Sequence, residues 1–328
     1  MRGSLRFAHR LCTLILAAFA AVGPFGADAQ TPIRGPVRIL LPFADDASYA
    51  MARLISDDIS DAVAQPVVVE RKSGATGRIA AEALKNAAPD GATLLLAPAV
   101  VPVLAPLVFR KLNYDPAKDF APVAQVATFR YALAVGPDHP ARTVPEFVAW
   151  AKVHRAQATF GTAGSGSIPH FFGVMVGQAT GLEMVHVPYK GAGPMTADLM
   201  GGQIASGIDA LANLIELHRA GRIRIIATSG AARSPLSLTV PTFKEQGFAA
   251  IEGVGWIAVY ARAGTPKPMI DRLSAAIVKA VQTPETRERF MNLGVEPTGT
   301  TPEQLTAIMA ADTARWRPII KASGFSAD

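Results

Sequence analysis

The stretch Val37-Arg-Ile-Leu-Leu-Pro-Phe43 is an apolar run interrupted by one charge, and it predicts a buried β-strand. Outward from this strand, the residue pattern predicts a helix over 50–64, a strand over 67–70, a helix over 77–87 and a strand over 93–97. Strands and helices that alternate in this order form a parallel sheet with helices on both faces. This part of the chain therefore predicts an α/β fold.

The same alternation restarts after residue 131. Further strands are predicted over 132–135, 159–161, 184–187, 204–208 and 224–228, and helices over 143–153, 268–281, 285–293 and 301–321. The chain near 125–131 is predicted to join two α/β units. We expect two lobes with a ligand cleft between them: lobe 1 from residues 30–131 plus 251–328, and lobe 2 from residues 132–250.

Two of the later helices carry start signals. Thr143 precedes an apolar run and Glu146 follows three residues on, which predicts a capping box. Thr301-Pro-Glu-Gln304 offers an N-cap threonine, a proline at the first helical position and a glutamine at the third. Both helices are therefore expected to begin directly after a threonine.

The N-terminus predicts export. Arg2, Arg6 and Arg10 precede an uncharged apolar run over 11–22, and Ala27-Asp-Ala29 supplies a small-x-small cleavage site. The run is shorter than the roughly 20 residues that a membrane span requires. Residues 1–29 are therefore expected to be a signal peptide and the mature protein to be periplasmic. The single cysteine, Cys12, lies inside the signal, which excludes a disulfide from the mature chain.

Charge and motifs argue against several functions. The net charge is +6, but the basic residues are scattered, so we expect no nucleic-acid partner. The chain contains no Gly-x-Ser-x-Gly, no phosphate-binding P-loop and no Gly-x-Gly-x-x-Gly after its first strand. Its six histidines lack metal-ligand spacing. We therefore predict no catalytic residues, no metal and no cofactor.

The loop Gly161-Thr-Ala-Gly-Ser-Gly-Ser-Ile-Pro-His170 is the strongest local signal for a ligand. It follows a strand and opens a helix, so its backbone N–H groups and hydroxyls suit a carboxylate. A Gly/Ser turn with a capping serine is the alternative. The predicted ligand-binding residues in this loop are Thr162, Ala163, Ser165, Gly166, Ser167 and His170.

Other loops at strand ends add candidates. Ser73-Gly-Ala-Thr-Gly77 repeats the strand-to-helix design, and Ala75 and Thr76 are its predicted binding residues. Tyr189 and Lys190 are expected at the cleft rim, whereas His186 is favoured as a packed strand histidine. Asp209 ends a strand, where it would either bind a ligand hydroxyl or water or cap the next helix. Trp256 is expected in the core, with a cleft wall as the alternative.

Several ordered blocks together resemble the periplasmic receptors of tripartite tricarboxylate transporters, the Bug-type solute-binding proteins. The blocks are Pro66-Val-Val-Val-Glu70, Ala88-Pro-Asp-Gly-Ala-Thr-Leu-Leu95, Tyr114-Asp-Pro-Ala-Lys-Asp-Phe-Ala-Pro-Val123, His186-Val-Pro-Tyr-Lys-Gly191, Asp198-Leu-Met-Gly-Gly-Gln203, Pro241-Thr242 with Glu245 and Gly247, and Ala263-Gly-Thr-Pro266. The resemblance implies a type II periplasmic-binding-protein fold that closes on a small carboxylate. It also implies membrane transporter subunits as partners, and we expect a monomer without a cofactor.

The first loop departs from this family. Its usual Pro-Phe-x-x-Gly-Gly-x-x-Asp is replaced by Pro42-Phe-Ala-Asp-Asp-Ala-Ser-Tyr-Ala50. Two aspartates thus stand where a carboxylate ligand is expected, and like charges repel. A cationic ligand, an aromatic acid stacked on a ring, a loss of binding, a sensory role and an enzyme using the two aspartates all remain open. The predicted binding residues of this loop are Phe43, Ala44, Asp45, Asp46, Ser48 and Tyr49.

Overall fold

The strands of the computed structural model, which describes residues 33–327, form one six-stranded and one five-stranded sheet. The predicted signal peptide lies outside the described residues. In chain order the strands are β1 (Val37–Leu41), β2 (Val67–Arg71), β3 (Thr93–Pro98), β4 (Phe120–Phe129), β5 (Tyr131–Val135), β6 (Thr159–Thr162), β7 (Val185–Pro188), β8 (Ser206–Ala210), β9 (Arg224–Thr228), β10 (Gly255–Arg262) and β11 (Glu296–Pro297).

The helices cover both sheets and match the predicted alternation. In chain order they are α1 (Asp46–Val63), α2 (Arg78–Lys85), α3 (Ala105–Val108), α4 (Pro116–Asp119), α5 (Val144–Val153), α6 (Ile168–Thr180), α7 (Ala192–Met200), α8 (Leu211–Arg219), α9 (Lys267–Gln282), α10 (Pro284–Asn292) and α11 (Pro302–Ser323). Short 3₁₀ turns and a π-helical turn over Val100–Leu104 connect some of them. The α/β fold is therefore confirmed.

Both sheets are mixed. The first has the order β11-β4-β10-β3-β1-β2, with β1, β2 and β3 parallel and β10 antiparallel to both β3 and β4. The second has the order β7-β6-β8-β5-β9, with β6 parallel to both β7 and β8, and β5 antiparallel to β8. The predicted parallel arrangement is thus confirmed for β1 to β3, whereas β10, which the sequence did not predict, inserts between β3 and β4 in the opposite direction.

The connection between the sheets is shorter than predicted. Most of the segment 125–131 was expected to be joining chain, but β4 continues through Phe129 and Arg130 alone separates it from β5. The Arg130 guanidinium pairs with the Glu296 carboxylate of β11 at 3.1 Å, and Ser234 Oγ donates to the same carboxylate. Because Arg130 and Glu296 are mostly buried, removing one partner would leave an unpaired charge in the protein. The connection between the two sheets is therefore stabilised by side-chain contacts as well as by the backbone.

Helix α1 shows how the apolar pattern builds the core. It buries Met51, Ile55 and Ile59 on one face, in an apolar cluster that also contains residues of β1, β3 and α9. Full burial of one such side chain stabilises the fold by about 1.5–3 kcal/mol. The spacing that predicted the helix is thus the spacing that packs it against the sheet.

Helix starts follow local side-chain chemistry. Thr301 caps α11 and Gln304 reaches back to the Thr301 N–H, so the predicted capping box is present. Thr143 caps α5 as predicted, but the Glu146 carboxylate accepts the N–H of Arg142 instead of that of Thr143, which makes that capping box half right. Trp256 lies in the core, as expected, and its Nε1 donates to Asp312 at 2.7 Å.

Within residues 33–327, none of the helices combines the length and the apolar character that crossing a bilayer requires.

Candidate functional site

The first loop is shorter than the sequence suggested, because α1 begins at Asp46 and not near residue 50. The Asp45 carboxylate is the N-cap and accepts the N–H of Ser48 at 2.7 Å. The Asp46 carboxylate pairs with Arg71 at 2.6 Å. The protein itself therefore engages both carboxylates that were expected to repel an anionic ligand.

The other residues of this loop lie around the same helix start. The Arg71 guanidinium stands over the Tyr49 ring at 4.9 Å, while Ser48 is buried. Ala44 is exposed, and the half-buried Phe43 ring approaches the turn at Gly77. The Arg71 side chain of β2 thus covers one face of the Tyr49 ring.

The second loop has an unusual backbone. Gly74, Ala75, Thr76 and Gly77 all have positive φ, with 48° at Ala75 and 57° at Thr76. For a residue with a Cβ, and above all for a β-branched one, this region is disfavoured. Such strain clusters at ligand sites, where surrounding structure holds the residues in place. Here the Arg78 Nε donates to the Ala75 carbonyl at 2.9 Å and so stabilises the turn.

The Gly/Ser loop opens α6, as predicted. Ser167 is the N-cap: its hydroxyl accepts the N–H of His170 and donates to the Gly164 carbonyl. Thr162 is fully buried, and its hydroxyl donates to the same carbonyl. The hydroxyls of Ser167 and Thr162 therefore hold the loop in shape, while Ser165 is exposed.

Two histidines lie beneath this loop. His170 Nδ1 accepts the N–H of Gly166 at 3.2 Å, and His186 Nε2 lies 2.8 Å from the Thr162 hydroxyl. The two rings stack with centroids 4.0 Å apart. Burial lowers the pKa of His170, and burial together with the neighbouring His170 lowers the pKa of His186 to about 4. His186 is thus the packed strand histidine that the sequence favoured.

The remaining predicted residues occupy separate positions. Tyr189 donates from its hydroxyl to Asp198, and Lys190 is exposed. Burial, followed by the hydrogen bond to Asp198, raises the pKa of Tyr189 to about 12. Asp209 is buried, and burial raises its pKa. The Asp209 carboxylate accepts the N–H of Ala210, the residue before α8, at 2.7 Å. Asp209 thus bonds at the start of α8, but Ala210 and not Asp209 occupies the N-cap position that the alternative gave it. Ala163 accepts the N–H of Gly191.

A cavity of about 450 Å³ brings the two glycine-containing loops together. Its lining combines Thr76 of the second loop with Ser165 and Gly166 of the Gly/Ser loop, three of the predicted ligand-binding residues. The full lining of this cavity is Thr76, Arg78, Val100, Ala105, Val108, Phe109, Ser165, Gly166, Phe325, Ser326 and Ala327. The other predicted binding residues do not line this cavity of the described chain.

Sequence reasoning missed two prominent residues of this cavity, Arg78 and Phe325. Arg78 directly follows the candidate loop, which was predicted to end at Gly77. The predicted binding loop therefore stopped one residue too early. Phe325 follows α11, and its ring contacts His170 and Phe171 edge-on at 5.5 and 5.8 Å. This contact joins distant parts of the chain, and no local sequence signal reports it.

The two aspartates of the first loop offer a direct test of local roles. Asp45→Ala is expected to lower the free energy of unfolding by about 1 kcal/mol, because it removes the N-cap of α1. Asp46→Ala is expected to leave it nearly unchanged, because exposed ion pairs contribute little and the Asp46 side chain is 96% exposed. Urea denaturation followed by circular dichroism measures both. A larger loss for Asp46→Ala would contradict the capping role.

The two sheets and the loop-lined cavity define a type II periplasmic binding protein. Rpa4515 of Rhodopseudomonas palustris with adipate matches with a TM-score of 0.76 and 30% identity, covering 90% of this chain and 99% of that one. MatC from the same organism with bound malate matches with a TM-score of 0.72 and 28% identity, covering 88% and 99%.

The family follows from the sequence comparisons. The model of the tripartite tricarboxylate transporter family receptor matches residues 51–325. Protein BugT of Bordetella pertussis is 30% identical, over 95% of each chain. The chain belongs to the tripartite tricarboxylate transporter receptor family, and the resemblance drawn from its ordered blocks is confirmed.

Proposed function

We propose that the protein is a periplasmic receptor that captures a small carboxylate for a tripartite tricarboxylate uptake system. The observation that carries this proposal is the cavity in which Thr76, Ser165 and Gly166 meet beside a guanidinium. Relatives of similar fold contain adipate and malate, which supports a carboxylate ligand. The engagement of Asp45 and Asp46 within the protein also supports it, because their charges are already balanced or hydrogen-bonded.

The finer parts of the proposal concern maturation, assembly and motion. We infer export through cleavage within residues 1–29, a monomeric receptor and delivery of the ligand to membrane transporter subunits. The strands of one sheet fall within the proposed lobe of residues 30–131 plus 251–328, and those of the other, apart from Tyr131 of β5, fall within residues 132–250. A ligand that contacts both lobes would favour the closed form, because only that form makes all the contacts.

We also infer that the protein binds its ligand without reacting with it. Asp45 and Asp46, the aspartates of the enzyme alternative, are an N-cap and an ion-pair partner. The remaining predicted binding residues, including Tyr189, Lys190 and Asp209, are retained as candidates for contacts in the closed form. Turnover abolished in an Asp45→Asn/Asp46→Asn double variant would overturn this inference.

Thermal unfolding in the presence of single organic acids tests the proposal. The panel contains hexanoate, adipate, malate, phenylacetate and, as a neutral control, adipamide. A ligand at 100 times its dissociation constant stabilises the folded state by about 2.7 kcal/mol, so at least one acid is expected to raise the midpoint temperature. Native mass spectrometry then gives the stoichiometry, expected to be one ligand per chain. No shift with any acid would overturn the proposal.

A further inference from the structure

Among the described residues, Arg78 is the one cationic side chain that lines the cavity between the two glycine-containing loops. Its guanidinium lies over the Phe109 ring at 4.2 Å, and Nε donates to the Ala75 carbonyl. Among residues 33–327, no carboxylate forms an ion pair with it. The ring and the carbonyl therefore fix the orientation of the guanidinium, while its terminal nitrogens have no ionic partner in the described chain.

A guanidinium held in this way suits one particular ligand group. Arginine presents paired N–H donors that match the two oxygens of a carboxylate, and stacking on an aromatic ring restricts its motion before the ligand arrives. Ser165 lines the same cavity from the Gly/Ser loop and is exposed, so its hydroxyl is placed as a further donor. Arg78 and Ser165 thus give this cavity donors for one carboxylate.

The rest of the lining contains apolar side chains as well as the hydroxyl residues Thr76 and Ser326. Its aliphatic and aromatic members include Val100, Ala105, Val108 and the Phe109 ring. A second ligand carboxylate against these side chains would lose its hydration without gaining a cationic partner, which is costly. Methylene or aromatic groups at the same place would instead gain free energy from burial.

The segment after α11 contributes a further apolar wall. The Phe325 ring sits on Gly166, where a Cβ would stand 2.5 Å from the ring, and Ala327 donates its N–H to the Val108 carbonyl at 2.9 Å. The segment therefore spans from the Gly/Ser loop to α3 and places a ring against the cavity. The Phe325 ring therefore shares the lining of one cavity with the Phe109 ring and the Arg78 guanidinium.

We propose that Arg78 binds the single carboxylate of an organic acid whose apolar body lies against Phe109 and Phe325. The preferred ligand class is then a monocarboxylate with an aliphatic or aromatic body, ahead of short polar dicarboxylates. This inference rests on the proposed carboxylate-receptor function and specifies its substrate class and its anchoring residue.

Hexanoate and adipate form a matched pair of ligands for the test, because they have the same length and differ in one terminal group, a methyl or a second carboxylate. Isothermal titration of the full mature chain is expected to give a dissociation constant for hexanoate at least ~10-fold lower than for adipate, because the second carboxylate of adipate is buried without a partner. Equal affinities, or tighter adipate binding, would overturn the proposed ligand class.

Variants of Arg78 test the anchor. Arg78→Gln is expected to weaken hexanoate binding by ~10- to 100-fold, the range for a lost charge-assisted hydrogen-bond pair. Arg78→Lys is expected to bind hexanoate with an affinity between those of the wild type and Arg78→Gln, because lysine keeps the charge but not the paired geometry. Arg155→Gln, an exposed site in the second lobe that removes the same charge, is expected to bind like the wild type.

The outcomes separate this inference from the proposed function. If the wild type binds carboxylates and Arg78→Gln binds them with the same affinity, Arg78 is not the anchor. The proposed receptor function would be unaffected by that result. If Arg78→Gln unfolds because the strained turn loses its hydrogen bond, Arg78→Lys decides: affinity equal to the wild type would overturn the anchor. A wild type that binds no acid would overturn both proposals.

Discussion

Gly173→Ala is expected to lower the free energy of unfolding by ~1–2 kcal/mol, although alanine is the better helix former. Gly173 lies inside α6, and a Cβ there would stand 2.1 Å from the Phe160 ring of β6. Overpacking of this kind costs about 1–3 kcal/mol, while the gain in helix propensity is about 1 kcal/mol or less. The Phe160 ring is 2% exposed and packs on His186, so it has little room to yield.

Gly193→Ala is the matched control for this prediction. Gly193 lies in the first turn of α7, where a Cβ would meet no atom within 4 Å. No steric clash then offsets the higher helix propensity of alanine, so this variant is expected to be as stable as the wild type or up to ~1 kcal/mol more stable. Urea denaturation gives both values. Changes of the same sign in the two variants would show that packing against Phe160 does not decide the outcome at Gly173.

Gly173 also connects the packing of the core to the candidate site. Phe160 lies under the stacked rings of His170 and His186, and His170 accepts the N–H of Gly166 in the Gly/Ser loop. A displaced Phe160 ring would therefore shift the histidines that support the loop. Gly173→Ala is accordingly expected to weaken ligand binding as well as stability, whereas Gly193→Ala is expected to weaken neither.

The elements that the sequence predicted well are those whose pattern is local. The strand of Val37–Leu41 is a continuous apolar run, and the Gly/Ser loop lies between a strand and a helix in the structure, as its residues indicated. Helix α1 was placed four residues late because its N-cap and first turn contain two aspartates and a serine. Those residues favour a cap and a loop equally in a sequence, and only the hydrogen bond from Ser48 to Asp45 decides between them.

Strands β4 and β10 were not predicted, because their identity depends on distant pairing. Strand β10 lies between β3 and β4, and the partners of Ile257 are Pro98 and Ala127, each more than a hundred residues away. Pro122 and Gln125 interrupt the apolar pattern of β4, and its pairing with β10 contains two register shifts. Such a strand is stabilised by its neighbours in the sheet, which a single sequence does not reveal.

The residues of the candidate site also fall into two groups, those that the local sequence predicts and those that only the folded structure reveals. The two glycine-containing loops were found because glycine and small hydroxyl residues follow strands in the sequence. Whether a hydroxyl is free for a ligand was not visible: Ser167 is used as an N-cap, while Ser165, two residues earlier, faces the cavity. The apolar wall formed by Phe325 depends on where α11 ends in space, so only the folded structure reveals it.

Acidification is expected to destabilise the wild-type protein through His186. Its pKa in the folded protein is about 4, chiefly because of burial, against an ordinary value of 6.5. Between these two pH values the unfolded chain binds more protons than the folded chain, so the free energy of unfolding rises with pH. The contribution of His186 is therefore complete above pH 6.5 and is lost as the pH falls toward 4. A shift of this size corresponds to at most ~3 kcal/mol.

His186→Gln isolates this effect, because glutamine keeps a polar group near the Thr162 hydroxyl but does not titrate. Burial also lowers the pKa of His139 and of His218, which both proteins retain away from residue 186, so their effects cancel to first order in the comparison. Between pH 7 and pH 4 the wild type is expected to lose up to ~3 kcal/mol more than the variant in urea denaturation. His154→Gln, which replaces an exposed ring, is expected to follow the wild-type curve. Parallel curves for the wild type and His186→Gln would mean that His186 is hydrated as well in the folded state as in the unfolded state.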